Sequence, residues 1–284
     1  MKEEKFQNKI TPKGTGGLKF KETFAYKDLI FLFVRREYVA NYKQTILGPL
    51  WAIVQPLLST FVYAFVFGHL ANLDSKEVPS YLFYMSGTIL WIYFSTSLTK
   101  ISNTFIDNRR VLAKVYFPRL VMPISTILSR LISFGIQFVL FMLLWCYYAL
   151  AGSQVAMNWY VLMTPLIVLQ FALLAMGVGV IISSLTVKYR DLGMLVTFGV
   201  ELWKYLSPIA YDMNTVGLTA SSGLYAIYML NPITPSINLF RYAFFSVGGV
   251  DWTFYHISWA ITLLIFFGGV LLFNKVERTF ADTV

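Results

Sequence analysis

Reactive and metal-binding side chains are scarce in this sequence, whose 284 residues include one cysteine and two histidines. Cys146 stands alone in an apolar run, so no internal disulfide can form, and it reads as a small buried apolar side chain. His69 and His256 lie far apart, with no cysteine or carboxylate cluster at ligand spacing, which argues against a metal site. A G-x-x-x-x-G-K-[ST] loop is missing. Gly14-Thr15-Gly16-Gly17 neither follows a strand nor carries the Lys-Ser/Thr that would hold a nucleotide. No D-x-D pair falls in a water-facing loop, so acid–base or metal-dependent glycosyl transfer lacks its usual groups.

Charge is thin as well, at 13% of residues, while 57% are hydrophobic and the mean hydropathy is +0.63. Such a chain cannot clothe a soluble fold in polar residues, which implies an all-α, polytopic membrane protein. Residues 1–24 mix Lys with Glu, Pro12 and glycines and contain no apolar core, so they predict a flexible cytosolic tail rather than a cleaved leader. The net charge of +9 raises the question of nucleic acid. Ten of the 23 basic residues precede Leu47 and most others fall in short loops, so membrane topology accounts for them without a nucleic-acid partner.

Six apolar runs approach or exceed the length of a bilayer crossing: Leu50–Leu70, Tyr81–Thr99, Leu131–Leu150, Tyr160–Leu185, Leu192–Ala210 and Trp252–Phe273. Arg109, Arg110, Lys114 and Arg119 occupy one loop, and Lys188 and Arg190 another. The positive-inside rule makes both cytosolic and puts both termini on that side. Arg130 lies 20 residues before Leu150, about 30 Å of helix, and reads as a snorkelling residue at the cytosolic edge. On the opposite side Arg241 stands alone. About residues 212–250, the chain is apolar but broken by Pro232, Pro235 and Gly248-Gly249, which suggests re-entrant or interfacial half-helices, or a folded external loop.

Residues 25–46 carry a different pattern. Asp28, Arg35, Arg36 and Lys43 share one quadrant of a helical wheel and Ile30, Phe33, Val34 and Tyr38 gather opposite, as in a helix lying in the headgroup plane. Gly48-Pro49 ends it before the first span. Within the apolar runs, Glu201 and Lys204 are three residues apart and can pair, either on an internal pathway or at a dimer seam or the bundle centre. Aromatic residues make up 18% of the chain and many sit near span ends, as belt residues do. Trp91, Tyr93, Trp203, Tyr205 and Tyr211, with Glu201 and Lys204, are the candidates for a channel wall, where flat rings accept sugar faces.

The combination Tyr42-Lys43-Gln44-Thr45-Ile46-Leu47-Gly48-Pro49-Leu50-Trp51 with Gln55-Pro56, then Asn108-Arg109-Arg110-Val111-Leu112 with Lys114 and Phe117-Pro118-Arg119, then Lys188-Tyr189-Arg190-Asp191, closes with Ser207-Pro208, Asn231-Pro232 and Arg241. In this order the chain resembles the membrane subunits of ABC-2 type polysaccharide exporters, the group of the O-antigen and teichoic acid permeases. Asn41 stands where many relatives carry a basic residue, and Glu37 interrupts the apolar face.

The resemblance implies a non-enzymatic transporter subunit with six transmembrane helices over residues 47–284 in the bacterial inner membrane. It implies a homodimer joined to two copies of a P-loop ATP-binding subunit, which would hold ATP and Mg, so that this chain has no cofactor of its own. The substrate would be an undecaprenyl-diphosphate-linked glycan such as O-antigen. Teichoic acid, capsule, drug or lipid export is the alternative, with a membrane-embedded glycan-processing enzyme behind it. Carried over by position, a coupling helix at about 107–117 would seat on the ATPase through Asp107, Asn108, Arg109, Arg110, Leu112, Lys114, Tyr116 and Phe117. Lys188, Tyr189, Arg190 and Asp191, in the second cytosolic contact at about 187–191, would assist. Arg35, Arg36, Tyr42 and Lys43 would form the headgroup gate.

Overall fold

A computed structural model describes residues 20–43, 45–73, 77–108, 111, 114–115, 117–153, 155–186, 189, 191–213, 215–217 and 223–283. Among these the regular secondary structure is helix, without a strand. Its helices are α1 (Phe20–Ala25), α2 (Lys27–Tyr42), α3 (Trp51–Tyr63), α4 (Ser80–Ser102), α5 (Thr104–Asp107), α6 (Val121–Leu150), α7 (Thr164–Thr186), α8 (Leu192–Tyr205), α9 (Tyr225–Met229), α10 (Ile233–Phe245) and α11 (Trp252–Thr283).

Among the described residues, four segments are long and apolar enough to cross a membrane: Gly48–Leu70, Val121–Leu150, Trp159–Thr186 and Trp252–Lys275. The first three contain α3, α6 and α7, and the fourth is the larger part of α11. The first begins where expected, because α2 stops at Tyr42 and Gly48 adopts a φ of +52°, a left-handed turn that glycine enters without strain. Pro49 then starts a short 3₁₀ turn into α3.

The segment expected as the second span is helical as α4 but is not among these four, and its composition follows from its place at the bundle centre. Of its 23 residues 16 are buried, and α3, α6, α7, α8 and α10 pack around it. A helix surrounded by protein needs close packing on every side, and small hydroxyl residues permit it. Two of the buried hydroxyls are satisfied within the helix: Ser86 donates to the Phe83 carbonyl at 2.6 Å and Thr88 to that of Tyr84 at 2.8 Å. The expected fifth span, Leu192–Ala210, is helical for only 14 residues. Its helix ends ahead of Pro208, which disfavours helical geometry in the residue before it, and the chain from Leu206 to Ala210 continues as turns.

Close backbone contact joins α7 to α11. A Cβ on Gly177 would lie 2.7 Å from the Cα of Phe266, and one on Gly269 would lie 2.5 Å from the Gly177 carbonyl oxygen. Only hydrogen fits at that crossing. Gln170 adds a polar tie, donating to the Ser258 hydroxyl of α11 at 2.9 Å and accepting from the Ser236 hydroxyl of α10 at 2.8 Å.

Cys146 lies on the exposed side of α6, contrary to the buried position expected for it. In a membrane-spanning helix the outer surface is itself apolar, so an apolar side chain carries no information about which way it points.

Candidate coupling and gate surface

α2 lies along the first half of α6 and is fixed there by its apolar stripe. Ile30, Phe33 and Val34 are buried against Phe117, Val121 and Met122, and the rings of Phe33 and Phe117 are 5.6 Å apart. The apolar stripe of the helix expected to lie in the headgroup plane therefore faces protein, because α6 and the loop before it offer a ready apolar partner. The opposite side remains open, with Phe31, Leu32 and Val39 exposed among Arg35 and Lys43.

Polar contacts run the length of this junction. Arg36 donates from Nη2 to Asn108 Oδ1 at 2.8 Å and covers the Phe33 ring at 4.6 Å, so one predicted gate cation reaches the predicted coupling loop. Thr126 donates to Glu37 Oε2 at 3.1 Å, and Arg130 Nη2 lies 3.6 Å from Glu37 Oε1. The Tyr42 and Ser133 hydroxyls are hydrogen-bonded at 3.0 Å. Arg130, read from sequence as a snorkelling boundary residue, is thus the ion-pair partner of Glu37. With side chains 20% and 13% exposed, both are largely enclosed by protein. A hint was present in the sequence: two opposite charges, each interrupting an apolar helix face without a partner on its own helix.

The two expected cytosolic contacts share one end of the bundle. Thr186, at the end of α7, donates its hydroxyl to the Ser102 carbonyl at the end of α4 at 3.1 Å. A Cβ on Gly193, in the first turn of α8, would meet Asn103 Oδ1 at 3.4 Å. Asp107 pairs with Lys100 at 2.6 Å, both partly exposed. Lys114, Tyr189 and Asp191 are exposed, whereas Phe117 is buried beneath α2. Arg109, Arg110, Leu112, Tyr116, Lys188 and Arg190 lie outside the described residues.

The channel candidates separate into two groups. Trp91 and Tyr93 are 5% and 2% exposed within the core, packed against Phe94 and Phe134 respectively. On α8, Met194, Leu195, Phe198, Glu201, Leu202 and Tyr205 form one exposed face. Glu201 pairs there with Lys204 at 2.5 Å, and the ammonium lies 5.2 Å from the Tyr205 ring centre. A carboxylate on an otherwise apolar open face is costly against hydrocarbon and calls for protein or water across from it.

Near the end of α8, Trp203 is half-buried and donates its indole N–H to Asn231 Oδ1 at 3.1 Å. The Asn231 amide donates in turn to the Leu206 carbonyl and the Ser207 hydroxyl, each at 2.9 Å. The Tyr211 hydroxyl donates to the Tyr205 carbonyl at 3.0 Å and pairs with Tyr228. Burial raises both phenols above the ordinary tyrosine value, so both keep their protons.

Arg241, expected as a solitary loop charge, is instead a buried member of α10. Its guanidinium donates to Ser86 Oγ and to the Ile209 carbonyl, each at 3.3 Å, and lies 3.7 Å from the centre of the Phe83 ring. Gly87 makes room, since a Cβ there would come within 3.2 Å of Arg241 Nη2. One guanidinium thus ties α4, the turns after α8 and α10, a role its sequence position does not reveal.

The ABC-2 type transporter family profile matches residues 28–245. An O-antigen export system permease protein RfbA of Klebsiella pneumoniae is 28% identical over 272 residues, covering 93% of this chain and 98% of that protein. One of the same name from Myxococcus xanthus is 26% identical over 265 residues, with the same coverage of each.

Proposed function

Since the chain belongs to the ABC-2 type transporter family, we propose that it is the permease subunit of an ATP-driven exporter that moves a lipid-linked polysaccharide of the O-antigen class out of the cytosol. The observation that carries this reading is the match to O-antigen export permeases along nearly their whole length. A relationship spread from α2 to the last span favours shared transport over a shared fragment.

The functional unit is two copies of this chain with two P-loop ATP-binding subunits in the inner membrane. The sequence has no phosphate loop of its own, so the power stroke comes from a partner. Six crossings follow when α4 and the α8 segment join the four long apolar helices, with both termini in the cytosol. Arg35 and Lys43, beside the exposed apolar residues of α2, suit an anionic diphosphate headgroup at the cytosolic leaflet. The open face of α8 supports a place opposite the second copy or along the glycan path, because either setting gives Glu201 a polar neighbour. Asp107, Asn108, Lys114, Tyr189 and Asp191 share the end of the bundle where an ATPase would dock.

Deletion of the chain in its host should remove the surface glycan while its lipid-linked form accumulates inside, and expression of the intact chain should restore export. A normal surface glycan in the deletion strain would reject the substrate assignment.

A further inference from the structure

We propose that Glu37 and Arg130 form a separable latch that sets the angle of α2 on α6, and that displacement of the loop at Asn108 reaches this latch through Arg36. Glu37 is thereby a positioning residue of the transport cycle, an inference that rests on the export reading given above.

Three features support a latch rather than a permanent weld. The charges come from different helices, and at 3.6 Å they attract without closing a direct hydrogen bond, so modest motion separates them. The carboxylate does not depend on Arg130 alone, since the Thr126 hydroxyl holds its other oxygen at 3.1 Å and can keep it partnered during opening. Next along the chain, Arg36 is held by Asn108 at 2.8 Å, in the loop that follows α5. Any push on that loop arrives one residue away from the latch.

The surroundings also supply a pivot. Beyond Tyr42, which meets Ser133, the chain leaves helical geometry and passes through Gly48 at a φ of +52°, where a Cβ would find open space for 4 Å around. α2 can therefore swing on its C-terminal connection while α3 stays in the membrane. Swinging it would uncover Val34, which is 9% exposed when α2 is seated, and would redirect the Arg35 and Lys43 side of the helix. A switch of this sort needs two discrete arrangements with different contacts, and the ion pair is present in one of them.

The test uses full-length chain with Val34→Cys in inside-out membrane vesicles, after Cys146→Ser, and follows the rate of labelling by a water-soluble maleimide. Arg130→Ala should raise that rate about tenfold, the effect of weakening the seated state by a modest fraction of a buried pair's worth. The exchanged pair Glu37→Arg with Arg130→Glu should return it close to the starting value. Equal labelling in Arg130→Ala and its parent, or no rescue by the exchange, would overturn the latch, because apolar packing alone predicts both. Export of surface glycan is scored in the same strains. Labelling that follows the pattern while the deletion strain still displays its glycan would leave the latch standing and reject the export reading.

Discussion

Arg241 shows how much one side chain can hold in a bundle of this kind. Its guanidinium supplies two hydrogen bonds and rests on Phe83, so truncation to alanine strands the Ile209 carbonyl and removes the contact with the ring. Arg241→Ala should lower unfolding stability in detergent by about 2 kcal/mol. Arg241→Lys should recover less than half, because an ammonium cannot reach both acceptors and lie flat on the ring. Full recovery by lysine would show that charge, not the planar fork, matters here. Asn231 is a comparable case: its amide serves Trp203, Leu206 and Ser207 together. Both residues belong to motifs visible in the sequence, but their partners lie up to 155 positions away, and no spacing rule reaches that far.

At the level of elements, the α7–α11 crossing depends on the absence of side chains at Gly177 and Gly269. Gly177→Ala should cost about 1–3 kcal/mol in thermal or denaturant unfolding, because the new Cβ meets backbone that cannot swing aside. Gly135→Ala on α6, where nothing lies within 4 Å, should be neutral or slightly stabilising through helix propensity. If the two substitutions behaved alike, the close approach of α7 and α11 would not be the reason for glycine.

The exposed face of α8 raises a different question at the same scale. Glu201→Leu removes the one exposed carboxylate between Phe198 and Tyr205 and should leave membrane insertion intact, or improve it. Export should nevertheless fall severalfold if that face meets the glycan path or the second copy. Normal export by the inserted variant would assign Glu201 to the surface chemistry of a single chain.

For the whole assembly, the end of the bundle proposed to meet the ATPase is where motion would enter. Lys114→Glu reverses an exposed charge there, and Tyr189→Ala removes an exposed ring from the adjoining loop. Each should reduce the stimulation of the partner ATPase by substrate while the chain still inserts and assembles. Copurification of both subunits, paired with hydrolysis rates in proteoliposomes, reads the two effects separately. Undiminished stimulation in both variants would move the contact away from these loops.

Much of this organisation was legible in the sequence because the bilayer imposes one-dimensional rules. The turn at Gly48-Pro49, the helix over Lys27–Tyr42 and the apolar segments of α3, α6, α7 and α11 all follow from length, periodicity and breakers. The same rules were less informative at α4, whose hydroxyl-rich surface suits protein neighbours rather than lipid, and at α8, where Pro208 cuts the apolar run short of its hydrophobic length.

The sequence by itself determined that this is a helical membrane protein, through apolar runs whose backbone amides can be satisfied only within helices. It also determined which loops carry cations. Tertiary structure decided which charges are surface groups and which are ties. Glu37, Arg130 and Arg241 each interrupt an apolar pattern in the sequence, and only their three-dimensional neighbours distinguish them. The energy of a charge in a low-dielectric setting depends on the few ångströms around it, and that information resides in packing between distant helices.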